Sequence, residues 1–261
     1  MKLKVTQIAV AVSLLSAGSV FAQAVAASAA AATPEHTVTA NLTFTTNYKF
    51  RGQDQVTTRT SAVKPALQGG FDYAHASGFY LGNWNSSVNF NPNNSLESDI
   101  YGGYKFNMGD FAFDVGALAY LYPGLSTANT GELYGGVGYG PFSFKYSQTI
   151  TKGYFGTGRA TSDGDGTSYI YLAYAQEVMP KVTFRASVGH TNFKAAVNRA
   201  GTPDFSDYSV GAAYDLGSGF SVAGAFVGAS KKNHPAFSYT VGTSTRSLNK
   251  SAFIVSLTKA M

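Results

Sequence analysis

From Thr37 onward apolar and polar residues trade places one by one. Val38, Ala40, Leu42, Phe44, Tyr48 and Phe50 alternate with Thr39, Asn41, Thr43, Thr45, Asn47 and Lys49. Successive side chains of a β-strand point to opposite faces, whereas a helix brings residues three and four apart together. A period of two predicts one greasy face and one wet face, and it recurs down the whole chain. Val63, Leu67, Phe71 and Tyr73 oppose Lys64, Gln68 and Asp72, and Tyr80, Trp84, Val88 and Phe90 oppose Asn83, Asn85, Ser87 and Asn89. Ile100, Tyr104, Phe106 and Met108 oppose Glu97, Asp99 and Lys105, and Phe111 to Leu121 opposes Asp114 and Tyr120. Further sets centre on Leu133, Phe144, Ile170, Phe184, Val210, Phe226 and Val255. The reading is about twelve strands of roughly ten residues, the length of a tilted membrane strand.

The connections alternate in length. Short ones at 76–78, 107–110, 140–141, 177–181 and 216–219 are rich in Gly, Pro, Asn or Asp, as tight hairpins require. Long ones fall at 51–62, 91–95, 123–130, 151–166, 194–206 and 231–248. Outer-membrane barrels have short periplasmic turns, longer external loops and an even strand count, which puts both ends of the chain in the periplasm. Lipid leaves an open sheet edge unpaired, so spanning strands must close into a barrel. The expected fold is therefore all-β: a transmembrane antiparallel up-and-down β-barrel of twelve strands.

Composition decides between lipid and water. Charged residues make up only 13% of the chain while hydrophobic residues reach 44%. A soluble sandwich or lipocalin-like barrel would show more Lys and Glu on its polar faces, and twelve apolar strand faces would crowd one core. No run of about 20 apolar residues follows the first 25, so helical spans are excluded. The start reads as a signal peptide over 1–22: Lys2 and Lys4, an apolar stretch from Ile8 to Leu15, and Val20-Phe21-Ala22 before the expected cut. Residues 23–36 are Ala-rich and read as a flexible tail, leaving 37–261 for the barrel. With Lys2 and Lys4 removed, 17 Lys and Arg of the 19 face 14 Asp and Glu, too mild and scattered an excess for nucleic acid. The chain has no Cys, which removes disulfides, thiol catalysis and Cys-ligated metals.

Several strings resemble the TorF family of porin-like proteins, long known only as conserved bacterial proteins of unknown function. They are Asn47-Tyr48-Lys49-Phe50-Arg51-Gly52, Pro65 to Tyr73, Ser77 to Trp84, and Glu97-Ser98-Asp99-Ile100-Tyr101-Gly102-Gly103-Tyr104. The resemblance implies an outer-membrane location in a Gram-negative bacterium and a channel role but supplies no substrate; outer-membrane lipid and small hydrophilic solutes are the partners expected from the greasy and wet faces themselves. The resemblance implies no cofactor. One departure is Met261, which stands where such barrels usually end in an aromatic residue.

Twelve strands about 4.8 Å apart and tilted about 40° give a backbone radius of roughly 12 Å, enough for a narrow pore. The expected pore-lining charges nearly balance: Lys49, Arg51, Lys64, Lys105, Lys145 and Arg185 against Asp72, Glu97, Asp99, Asp114, Glu132 and Asp215. Arg51 and Lys64 flank the first long loop and read as a basic mouth. Two readings stay open: separated charges lining a pore for passive diffusion of small hydrophilic solutes, or paired charges plugging a structural or adhesive barrel whose loops bind partners. Tyr48, Tyr73, Tyr80, Trp84, Tyr104, Tyr139 and Tyr146 read as girdle residues at the membrane interface, with sugar stacking the alternative for any that face inward. Asp163-Gly164-Asp165-Gly166 lacks the further ligands of a calcium loop and reads as a turn. His36, His75, His190 and His234 stand in a tail, near a turn, near a strand end and in a loop. None shows the Ser and acid partners that a hydrolase needs, so no enzyme is expected.

Overall fold

The structure is a computed structural model that describes residues 34–156 and 164–261. The expected signal peptide, and the Ala-rich tail as far as Thr33, lie outside the described residues. The chain forms β1 (His36–Thr45), β2 (Lys49–Phe50), β3 (Gln53–Asp54), β4 (Ala66–His75), β5 (Phe79–Asn91) and β6 (Asn94–Met108). Next come β7 (Phe111–Leu121), β8 (Thr130–Tyr139), β9 (Phe142–Thr149), β10 (Ser168–Met179) and β11 (Val182–Asn192). The series ends with β12 (Phe205–Gly217), β13 (Phe220–Ala229), β14 (Ser238–Val241), β15 (Ser244–Ser247) and β16 (Ala252–Ala260). Among the described residues helix is confined to loops: α1 (Ala195–Arg199) and two 3-10 turns.

Twelve of these strands close a barrel in which each pairs with its sequence neighbours, and β16 returns to β1. Every pairing around the wall is antiparallel, and closure sets Thr43 against Thr258 and Phe44 against Leu257. Ala40 and Met261 exchange backbone hydrogen bonds at 2.9 and 2.8 Å, so the seam is stitched to the last residue. The remaining short strands form hairpins in loops, β2 with β3 and β14 with β15.

The alternation fixes the wall. Leu42, Phe44, Leu67, Phe71, Ile100, Val115, Leu133, Phe144, Leu172, Phe226 and Leu257 are all exposed on its outside. In water so many exposed large apolar side chains would aggregate; in a bilayer they are the lipid contact. Thr43, Gln68, Glu97, Asp99, Asp114 and Glu132 are buried on the inside.

Three expectations need correction. First, β5 has the opposite parity: Trp84 and Val88 are buried in the interior, and Asn83, Asn85 and Ser87 lie on the outer face. There Asn83 Nδ2 donates to the Asp99 carbonyl at 3.0 Å and Asn85 Nδ2 to Asn83 Oδ1 at 2.5 Å, so the amides satisfy one another on the lipid side. Second, the connection after β5 is no long loop: β5 and β6 run on to a two-residue turn at 92–93, with a register shift between Ser87 and Asn91. Third, the first strand stops at Thr45. Tyr48 and Phe50 continue its apolar rhythm, but the chain turns inward at 46–47 and both residues are buried inside the barrel.

Candidate functional site

The site is the barrel interior, and its most distinctive part is the hairpin of β2 and β3. Lys49 pairs with Asp54 and Phe50 with Gln53, leaving Arg51 and Gly52 as the turn. Both turn residues have positive φ, 47° and 73°, the signature of the turn type whose twist suits a two-residue hairpin. Gly52 fits because it has no side chain: a Cβ there would lie 2.6 Å from the Gly228 carbonyl oxygen and 2.9 Å from Asp207 Cβ. The hairpin leaves the wall after β1, packs Gly52 against β12 and β13, and reaches Glu132 of β8 with Arg51, so its tip crosses the lumen.

Arg51 anchors the tip. Its Nη2 donates to both Glu132 carboxylate oxygens, at 2.9 and 2.8 Å, and its Nη1 donates to the Tyr154 hydroxyl at 2.7 Å. The guanidinium carbon lies 4.1 Å from the centre of the Tyr169 ring. At the hairpin base Asp54 takes two lysines, Lys49 and Lys64, each at 2.7 Å. Lys64 also donates to the Tyr239 hydroxyl at 2.7 Å. The expected basic mouth is thus a set of neutralised pairs inside the barrel.

Around the hairpin the long-loop half of the lumen is packed like a protein core. Tyr48, Phe50, Trp84, Val88, Tyr120, Tyr122 and Tyr134 form one buried cluster. Tyr154, Phe193, Val197, Phe205 and Phe237 form a second beneath the later loops. Tyr48 meets Trp84 edge-on at 5.8 Å and Phe50 meets Tyr120 at 5.5 Å, contacts worth about 0.5–1.5 kcal/mol each beyond their buried area. The inward Tyr48, Tyr80 and Trp84 leave the expected girdle. Tyr48 and Trp84 are only 3% and 5% exposed, too covered for a solute to stack on them.

The expected charges fall into two tiers. In the loop half, Glu97, Asp99 and Glu132 are buried among tyrosines, with Tyr122 donating to Glu97 at 3.0 Å. Lys49, Arg51 and Lys64 belong to this tier but sit on the inserted segment, not the wall. In the turn half, Asp72 accepts from Tyr101 at 2.6 Å and Asp114 from Tyr80 at 2.6 Å. Lys105 lies over the Tyr80 ring at 4.6 Å and Lys145 over the Tyr134 ring at 4.0 Å. Arg185 is half-buried on β11 in register with Gly211 of β12. Asp215 does other work: it accepts the Gly217 N–H at 2.8 Å and shapes the turn after β12. Two acids escaped the sequence reading. Asp54 is the hub of the hairpin base, and Asp207 accepts from Tyr169 at 3.1 Å. Asp207 precedes the outward Tyr208, so the alternation itself points it inward.

Tyrosine and glycine face each other across strands. Gly82 of β5 stands opposite Tyr101 of β6, Gly103 of β6 opposite Tyr80 of β5, and Gly116 of β7 opposite Tyr134 of β8. A Cβ on each of these glycines would collide with that tyrosine. The rings therefore lie over the glycines, along the wall, where another backbone position would push them toward the axis.

Elsewhere His190 Nδ1 meets Ser206 Oγ at 2.9 Å on the outer face of β11 and β12. Among the described residues no carboxylate hydrogen-bonds that ring, so the orienting member of a hydrolytic triad is not supplied. Asp163 lies outside the described residues, and Asp165 pairs with Lys194 at 2.8 Å.

The fold has relatives among solved structures. The KdgM porin in complex with disordered oligogalacturonate is 9% identical, with a TM-score of 0.52 over 85% of this chain and 98% of that one. The NanC porin is 7% identical, with a TM-score of 0.52 over 86% and 98%. Identities this low carry the fold alone, that of an outer-membrane porin barrel. No curated protein matches by sequence. Residues 28–261 match the family described as bacterial protein of unknown function (Gcw_chp), and the chain belongs to that family.

Proposed function

We propose that this protein is a narrow channel for passive diffusion of small hydrophilic solutes, with the hairpin of β2 and β3 setting its bore at the loop end. The observation that carries the reading is the contrast between the two faces of one wall. Lipid-facing side chains are mostly apolar, while the turn half of the lumen carries Asp72, Lys105, Asp114, Lys145 and Arg185 among tyrosines that lie along the wall. The nearly balanced signs suit uncharged solutes and zwitterions, since a ring of charged side chains of one sign is what confers selectivity for one ion charge. The narrower assignment to TorF porins, and export by a signal peptide over 1–22, belong to the same proposal.

A second reading has one observation in its favour. The buried aromatic clusters and the Arg51–Glu132 pair are what a permanently plugged structural barrel would contain. Planar-bilayer recording of the refolded protein separates the two. The channel reading expects discrete conductance steps, and swelling of vesicles in small sugars. A barrel that inserts, shown by its resistance to protease, yet gives no steps and no swelling is plugged.

A further inference from the structure

β1 and β4 leave the apolar belt side by side at the turn end. His36 opens β1 and stands directly opposite His75, the last residue of β4. Val38 and Tyr73, the next pair on the same outer face, mark where the lipid-facing wall begins. The imidazole rings are 5.2 Å apart. Glu35 precedes β1 and is held by its backbone, whose carbonyl accepts the Ala76 N–H at 2.9 Å. Its Oε1 reaches to 3.6 Å from His75 Nε2. One donor atom from each of Glu35, His36 and His75 lies within 4.8 Å of the other two.

These are metal-ligand distances just short of closure. Two nitrogens and an oxygen bound tetrahedrally at about 2.0–2.1 Å stand roughly 3.4 Å apart. The Glu35–His75 edge is already there, and exposed side chains close the rest by rotation. His36 Nδ1 is 2.9 Å from the Tyr73 hydroxyl, while His75 Nδ1 accepts the Ser77 N–H at 3.1 Å and lies 2.6 Å from Ser77 Oγ, so an ion at His75 Nε2 requires the ring proton to move to Nδ1 and be donated to Ser77 Oγ. That leaves Nε2 of each ring for an ion.

We infer that Glu35, His36 and His75 form a binding site for a divalent transition metal of the zinc class at the periplasmic rim, with water completing the coordination. A bound ion would clip the segment before β1 to the far side of the barrel's first turn.

The test is calorimetric titration of Zn2+ into the folded, tag-free barrel in detergent, repeated with Co2+ to read its tetrahedral absorption. One saturable site per chain is expected. His36→Ala and His75→Ala each abolish it, and Tyr73→Phe weakens it about tenfold, as loss of an outer partner does. His190→Ala, an exposed histidine at the opposite end, changes nothing. All these positions are exposed or half-buried, and heat-shifted electrophoretic mobility shows that each variant is folded. Absence of saturable binding overturns the proposal, as does a site that survives in both His36→Ala and His75→Ala.

Discussion

Arg51 sits at the tip of an inserted hairpin with a left-handed backbone and donates to both carboxylate oxygens of Glu132 on the opposite wall. A bulky residue at positive φ costs roughly 1–3 kcal/mol and persists only where its surroundings hold it. Here the surroundings are an ion pair and a set of aromatic faces. Breaking a buried pair from one side costs about 3–5 kcal/mol, because the partner is left charged and alone.

Arg51→Asn keeps the turn, since Asn tolerates a left-handed backbone, but cannot reach Glu132. The expected outcome is a larger or noisier single-channel conductance and a loss of about 3–5 kcal/mol in urea unfolding from vesicles. Adding Glu132→Gln should recover most of the stability but not the original conductance. An unchanged conductance in Arg51→Asn would count against the hairpin as the element that sets the bore.

Trp84 is the sole tryptophan, which makes its direction measurable. It is buried in the lumen against Tyr48, so lipids brominated on their acyl chains should quench its fluorescence little. Strong quenching would restore the outward parity of β5. A tryptophan introduced at Phe71, exposed on the lipid side, is the positive control.

Gly82→Leu tests the space reserved for Tyr101. A Cβ at Gly82 would lie 2.7 Å from the Tyr101 hydroxyl oxygen and nearer still to the ring. The ring must swing toward the axis, so conductance should fall and stability drop by about 1–3 kcal/mol. Gly82→Leu with Tyr101→Ala should restore conductance. If the double variant conducts no better than the single one, the ring is not the obstruction.

The Asp165–Lys194 contact ties the loop at 150–167 to the loop at 193–204. The Lys194 ammonium, by hydrogen bonding, holds the Asp165 carboxyl below the ordinary carboxylate range. Folding thus favours the ionised form. The tie is present above the unfolded pKa of about 3.9 and is lost as pH falls through the lowered value. Both groups are well exposed, so the effect is small and screened by salt. Limited proteolysis of these loops should stay flat from neutral pH down to the unfolded value and rise only below it. Asp165→Asn should cleave faster than the wild type at neutral pH and match it once the wild-type tie is lost.

Much of this was legible in the sequence, and the failures have physical causes. Period-two alternation gave the strand count, the closure and the outward face of most strands, because lipid favours apolar residues on the face that meets it. The alternation misled at Trp84 and Val88 because it assumes a wet lumen. Under the inserted hairpin the lumen is a packed core, and apolar residues belong there. Tyr48 and Phe50 misled for a related reason: they keep the rhythm of β1 while packing inside the barrel. Gly52 was half a turn signal, but Arg51 at positive φ carries none of the Asn or Asp chemistry that marks such turns. The pairing of Arg51 with Glu132 spans 81 residues and lies beyond any local pattern.

The tyrosines laid over glycines have a consequence for how such barrels diversify. Strand number fixes the circumference, but the free cross-section depends on whether each ring rests against the wall or leans off it. One exchange at Gly82, Gly103 or Gly116 would resize the aperture while the lipid belt, the turns and the seam stay as they are. Descendants of one ancestral barrel can in this way come to sieve molecules of different size without gaining or losing a hairpin.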